Sequence, residues 1–133
     1  MKSKQVLSIE QMRHLQELGL DMSDASMCVE WRESDESKKV VVSLDADTYY
    51  DYYHETYTLQ DILDKLPESI QIYDLYIFKQ AGLWVFKYID VEDETLHSET
   101  MPGIMDAAYY MLCWCIEKGY VKVKEVKDGR KEN

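Results

Sequence analysis

Polar and apolar positions alternate with two periods along this chain, and the changes of period mark the elements. Ile9, Met12, Leu15 and Leu18 recur at helical spacing behind Ser8, with Gln11 three residues on and Gly19 at the far end. That pattern predicts a short amphipathic helix closed by a capping box and a glycine stop, with Leu7 and Met12 as its hydrophobic staple. Met27, Val29 and Trp31 then alternate with Cys28, Glu30 and Arg32, the period of a half-buried strand. Glu33–Lys39 reads as a polar loop, and the β-branched run Val40–Leu44 as the return strand of a hairpin. Thr58 and Asp61 form a second capping box ahead of Leu59, Ile62, Leu63 and Leu66, and Pro67 ends that helix.

The clearest strand signal lies beyond Pro67. Tyr73–Lys79 and Leu83–Asp90 flank Gln80-Ala81-Gly82, and both faces of each run are apolar, so this hairpin is expected to be central in its sheet or covered on both sides. Val91–Met101 holds Glu92, Asp93, Glu94 and Glu99 without Lys or Arg and reads as a solvated connector. Pro102 is expected to open a third helix over 102–118, with Ile104, Ala107, Ala108, Met111, Leu112 and Cys115 as its apolar face. Tyr120–Val126 is a candidate edge strand. Helix, spacer, strand, turn and strand follow one another twice, over 8–45 and 58–90, without matching residue identities. Together the elements predict a single α+β domain over residues 1–127, an antiparallel sheet of four to five strands packed by two to three helices. Residues 128–133 are expected to form a disordered tail.

Charge narrows the function. The net charge is −11, and the five basic and three acidic residues from Lys122 onward leave the acidic surplus in residues 1–121. Such a body repels nucleic-acid phosphate, so direct DNA or RNA binding is not expected, while a basic protein partner is. No run in the sequence approaches the roughly 18 apolar residues of a membrane span. The three cysteines, Cys28, Cys113 and Cys115, form no disulfide framework and point to a reducing, cytoplasmic setting.

No catalytic residue and no cofactor or metal site is assigned. Cys113 and Cys115 diverge by roughly 200° on a helix and cannot share a metal ion. They read as buried small hydrophobes, although Cys113, opposite the apolar stripe, could stand exposed near His97 as a Cys–His pair. P-loop, dinucleotide-binding, zinc-protease and serine-hydrolase motifs are all missing from the sequence. The best candidate working surface is the segment Asp45–Tyr57, left open between strand and loop, where Tyr49, Tyr50, Asp51, Tyr52, Tyr53 and Glu55 combine aromatic area with negative charge. The alternative is that these tyrosines simply pack on a sheet.

Three phrases carry a resemblance: Leu7-Ser-Ile-Glu-Gln-Met-Arg-His-Leu-Gln-Glu-Leu-Gly19, Thr58-Leu-Gln-Asp-Ile-Leu-Asp-Lys-Leu-Pro67 and Met105-Asp-Ala-Ala-Tyr-Tyr-Met-Leu-Cys-Trp-Cys-Ile-Glu-Lys-Gly119. They resemble a group of small proteins of gut bacteria, often encoded in prophage-like or mobile regions. The resemblance implies an accessory cytoplasmic protein and transfers no activity or functional residue. The expected function is a non-enzymatic, acidic protein-interaction module, of which phage-defence inhibitors, immunity-like proteins and DNA mimics are examples. The alternative is a small enzyme or ligand-binding domain with a pocket between the 73–90 hairpin and the 102–118 helix, near Trp84, Tyr88 or Trp114. Homodimerisation through an exposed apolar helix face is a third possibility.

Overall fold

The computed structural model describes residues 5–32, 35–42 and 52–123. Within them the chain runs α1 (Ile9–Glu17), β1 (Met27–Arg32), β2 (Asp35–Val42), β3 (Tyr52–Thr56), α2 (Leu59–Lys65), β4 (Ser69–Ile70), β5 (Tyr73–Gln80), β6 (Leu83–Ile89), β7 (Thr95–Met101) and α3 (Ile104–Glu117). This is the expected α+β class, with its three helices and a four-stranded antiparallel sheet ordered β4-β5-β6-β7. The remaining strands form a second antiparallel sheet ordered β2-β1-β3.

Local chemistry sets the helix ends. Ser8 and Gln11 exchange hydrogen bonds at the start of α1, and Thr58 and Asp61 do the same for α2. Behind α1 the N–H of Gly19 bonds the Gln16 carbonyl and that of Leu20 bonds the Leu15 carbonyl. Gly19 adopts φ 104°, the left-handed turn that releases those last carbonyls to new donors. Gly119 repeats this behind α3, where the Tyr120 N–H bonds the Cys115 carbonyl at 2.8 Å. The Ala81-Gly82 turn has positive φ at both residues, matching the right-handed twist of β5 and β6.

One contiguous core joins the pieces. Leu7, Met12 and Leu15 from the α1 region, Tyr57 and Ile62 beside α2, Phe86 and Tyr88 from β6, and Met111, Leu112 and Cys115 from α3 are all fully buried. The 73–90 hairpin is central in its sheet, as expected, with α3 over the face that carries Phe86 and Tyr88. Thr56 and Tyr57 fasten the second sheet to α1: the Thr56 hydroxyl donates to the Leu7 carbonyl at 2.7 Å, and the Leu7 N–H bonds the Tyr57 carbonyl at 3.0 Å.

Four expectations change. The Val91–Met101 connector is a turn followed by strand β7, because β6 supplies the pairing that an acidic sequence does not advertise. Strand β2 begins at Asp35, inside the expected polar loop, where the ladder sets Asp35 opposite Arg32 and Lys39 opposite Glu30. With β7 extending to Met101, Pro102 and Gly103 make the turn, and α3 starts at Ile104 with Gly103 as its N-cap. Tyr120–Val123 forms no strand; it folds back on the end of α3. Residues 124–126 of that candidate strand, and the expected tail 128–133, lie outside the described residues.

Candidate interaction surfaces

The Tyr–acid segment divides. Tyr52, Tyr53 and Glu55 stand on β3, an edge strand of its sheet, opposite Trp31, Glu30 and Cys28 respectively. Tyr49, Tyr50 and Asp51 lie outside the described residues. The open choice between strand and loop is therefore settled as strand for 52–56. Tyr57, the last tyrosine of the segment, belongs to the core. Its hydroxyl reaches the Asp21 carbonyl at 2.9 Å and the Asp24 carboxylate at 3.1 Å, and the Lys65 ammonium lies 5.4 Å from its ring centroid. Burial, followed by the nearby Asp24 charge, pushes its ionisation well above the usual tyrosine range, so this phenol stays neutral. Lys65 also pairs with Asp24.

Asp61 is a second acid with a structural task. One oxygen accepts from the N–H of Thr58 at 2.9 Å and of Ser26 at 3.1 Å, and the other takes the Ser26 hydroxyl at 2.5 Å. Partial burial raises its ionisation, but the Ser26 and Thr58 bonds outweigh that and hold it below the ordinary carboxylate range.

The thiols are withdrawn from chemistry. Cys113 was a candidate for exposure but is only 7% exposed, because α3 packs against β6, β7 and α2 and so has little free perimeter. Desolvation is the largest influence on both helix thiols and pushes Cys113 and Cys115 up to about 11, leaving them protonated at neutral pH. His97 does not pair with a thiol. Its ring stacks on Trp114 with centroids 4.1 Å apart and planes within 1°, and its Nε2 lies 2.5 Å from Glu99 Oε2. Trp114 also meets Tyr120 at 5.4 Å and Tyr88 at 6.4 Å. Between the 73–90 hairpin and α3, Phe86, Tyr88, Met111 and Cys115 are fully buried. The Tyr88 hydroxyl is used as well, donating to the Pro67 carbonyl at 2.7 Å. Among the described residues no group of three or more His, Cys, Asp or Glu is placed to hold a metal ion.

A different surface emerges on the four-stranded sheet. Register places Asp74, Tyr76 and Phe78 of β5 beside Ile89, Lys87 and Val85 of β6, on the face away from α3. Tyr76 is 52% exposed there, and the Lys87 ammonium lies 5.8 Å from the Phe78 ring. The turns before β5 and after β6 sit at one end of this sheet, since Asp74 pairs with Ile89. They present Ile72 at 67% and Val91 at 96% exposure. Around them stand Asp74, Glu92, Asp93 and Glu94, all exposed, and half-exposed Asp90. The sequence reading missed this surface because alternation alone shows an apolar second face without showing whether anything covers it. The β6–β7 turn is held by Asp90, whose carboxylate accepts from the N–H of Glu92 at 2.9 Å and of Glu94 at 2.8 Å.

No described helix is long and apolar enough to cross a membrane. No protein-family model, curated protein or solved structure matches the chain.

Proposed function

We propose that this chain is a non-enzymatic, acidic interaction module that binds a basic partner protein in the cytoplasm. The observation that carries the reading is the end of the four-stranded sheet, where the exposed aliphatic side chains of Ile72 and Val91 stand among Asp74, Glu92, Asp93 and Glu94. An apolar anchor ringed by one sign of charge suits a partner with a complementary basic rim, because the acids steer the encounter and the buried aliphatic area holds the complex. The tyrosines of β3 form a second candidate contact region on this reading. The protonated, buried thiols and the burial of Phe86 and Tyr88 beneath α3 favour binding over catalysis. The free cysteines suit a reducing compartment. A mobile-element accessory role, as the sequence resemblance implies, would be exercised through such binding.

Affinity capture from a bacterial lysate at low salt, repeated with the Asp74→Asn/Glu92→Gln/Asp93→Asn/Glu94→Gln variant, tests the proposal. The expected result is a basic protein held by the parent chain, released by raised salt and lost with the neutralised variant. Capture that is indifferent to both salt and these substitutions would remove the argument.

A further inference from the structure

Strand β7 forms one edge of its sheet: among the described residues β6 pairs with one side of it and nothing pairs with the other. Edge strands ordinarily carry a protective feature such as an outward lysine, a proline or a very short length. Thr95–Met101 is seven residues long and contains no Lys, Arg or Pro. Its protective features are the register shift between Tyr88 and Ile89, which leaves Leu96 as an extra residue near its start, and the charge of Glu99.

The backbone phase of this edge follows from the hairpin. The two-residue turn at Ala81-Gly82 makes Gln80 and Leu83 a hydrogen-bonded pair, so Phe86 and Tyr88 direct their backbone groups toward β7. Their partners Glu99 and His97 answer them, which leaves the N–H and C=O of Ser98 and Thr100 pointing away from the sheet. A second β7 approaching antiparallel about a two-fold axis at Ser98 would pair Ser98 with its own counterpart through both backbone bonds. In that register His97 lies directly across from Glu99 of the other copy, and Glu99 across from the other His97. These are non-hydrogen-bonded pairs, in which the Cα atoms approach to about 4.5 Å and the side chains lie closest. Both side chains remain partly accessible, 27% for His97 and 26% for Glu99, so each has surface left to offer.

From this charge complementarity we infer that β7 is a self-association edge, joining two copies into one continuous eight-stranded antiparallel sheet with a His97–Glu99 contact on each side of the axis. The interface is isologous and closes on itself. It replaces the exposed helix face expected from the sequence, since the apolar stripes of α1 and α3 are spent on the core. The inference does not depend on the basic-partner reading. The two also differ in the sign of their salt response, because two bodies of charge −11 repel each other and added salt screens that repulsion.

Sedimentation equilibrium of the full chain in low and high salt tests the inference. Dimerisation that strengthens with salt is expected. Ser98→Pro removes an N–H that β6 does not use, and it should weaken dimerisation by roughly tenfold or more while leaving the circular dichroism unchanged. His97→Glu and Glu99→Lys should each be monomeric alone, yet form a heterodimer when mixed, because only the 97-opposite-99 register sets the introduced carboxylate against the introduced ammonium at one contact and leaves His97 opposite Glu99 at the other. The inference is overturned by a parent chain that stays monomeric at all salt concentrations. A dimer untouched by Ser98→Pro, or a mixture of the two charge variants that fails to associate while each is folded, overturns it equally.

Discussion

Replacing Asp61 with alanine removes a side chain that serves two elements at once. Its carboxylate caps α2 through the Thr58 N–H and ties that cap to the residue before β1 through both the N–H and the hydroxyl of Ser26. Loss of the cap costs about 1 kcal/mol. Bonds to a charged acceptor are worth about 1.5–3 kcal/mol when sheltered. This carboxylate is largely open to water, so solvent screening reduces the Ser26 contribution to about 1 kcal/mol. The sum, about 2 kcal/mol, corresponds to a fall in Tm of about 6–10 °C for a domain of this size. Asp61→Asn keeps an acceptor but removes the charge, and so isolates the ionic part. Because the folded carboxyl ionises below its unfolded value of about 3.9, the charge stabilises the fold fully above that pH. The contribution is lost as pH falls through the lower, folded value. Urea unfolding should therefore show a gap between parent and Asp61→Asn at neutral pH that closes in acid. An alanine variant within about 0.5 kcal/mol of the parent, a difference typical of featureless surface sites, would refute the reasoning. So would an asparagine gap that persists unchanged down to about pH 2, below the ordinary carboxylate range.

Phe86→Ala should cost about 3–5 kcal/mol in denaturant titration, since the ring is fully buried between the sheet and α3. Ala81→Asn should raise stability by about 0.5–1 kcal/mol in the same assay, because Ala81 holds φ 54° at a turn position that asparagine tolerates better. Cys113 and Cys115 should be alkylated roughly a hundredfold more slowly than free cysteine at neutral pH, and at the ordinary rate once urea unfolds the chain, as mass spectrometry of labelled peptides would record.

The parts of this fold that could be read in advance are those decided within a few residues. Ser8 with Gln11, Thr58 with Asp61, and Ala81 with Gly82 each complete their hydrogen bonds or backbone torsions locally, so their sequence signals are self-sufficient. Strand β7 is different. Its acids Glu92, Asp93 and Glu94 lie in the turn, and the strand proper alternates half-buried His97, Glu99 and Met101 with exposed Ser98 and Thr100, a weak apolar signal. It becomes a strand because β6, the strand just before it in the chain, offers it a ladder, and that pairing leaves no strong periodic apolar signal in the residues of β7 themselves. The same holds for Asp35–Lys39 against β1. The leading reading of Cys113 as a buried small hydrophobe holds, and its alternative as an exposed thiol fails for a related reason: a helical wheel describes one helix, whereas α3 is enclosed by a sheet, by α2 and by α1, whose Gln11 amide donates to Asp106 at 3.1 Å.

The candidate surfaces were less legible because tyrosine and glutamate each serve two purposes. Tyr57 and Tyr76 look alike in sequence, yet one is sealed in the core with its hydroxyl satisfied and the other is half exposed on the sheet face away from α3. Glu99 and Glu94 carry the same charge, but Glu99 is turned toward His97 at a strand edge and Glu94 is exposed at a turn. Ionic strength should separate these roles. At low salt the field of the acidic end should reach furthest and favour the proposed basic partner, while the charge of −11 should hold two copies apart. As salt shortens the Debye length toward the width of a side chain, the proposed partner contact should weaken and the proposed backbone pairing at Ser98 should prevail. On the two proposals together, the association state of the chain should follow the ionic strength around it, because the partner contact and the self-pairing respond to salt with opposite signs.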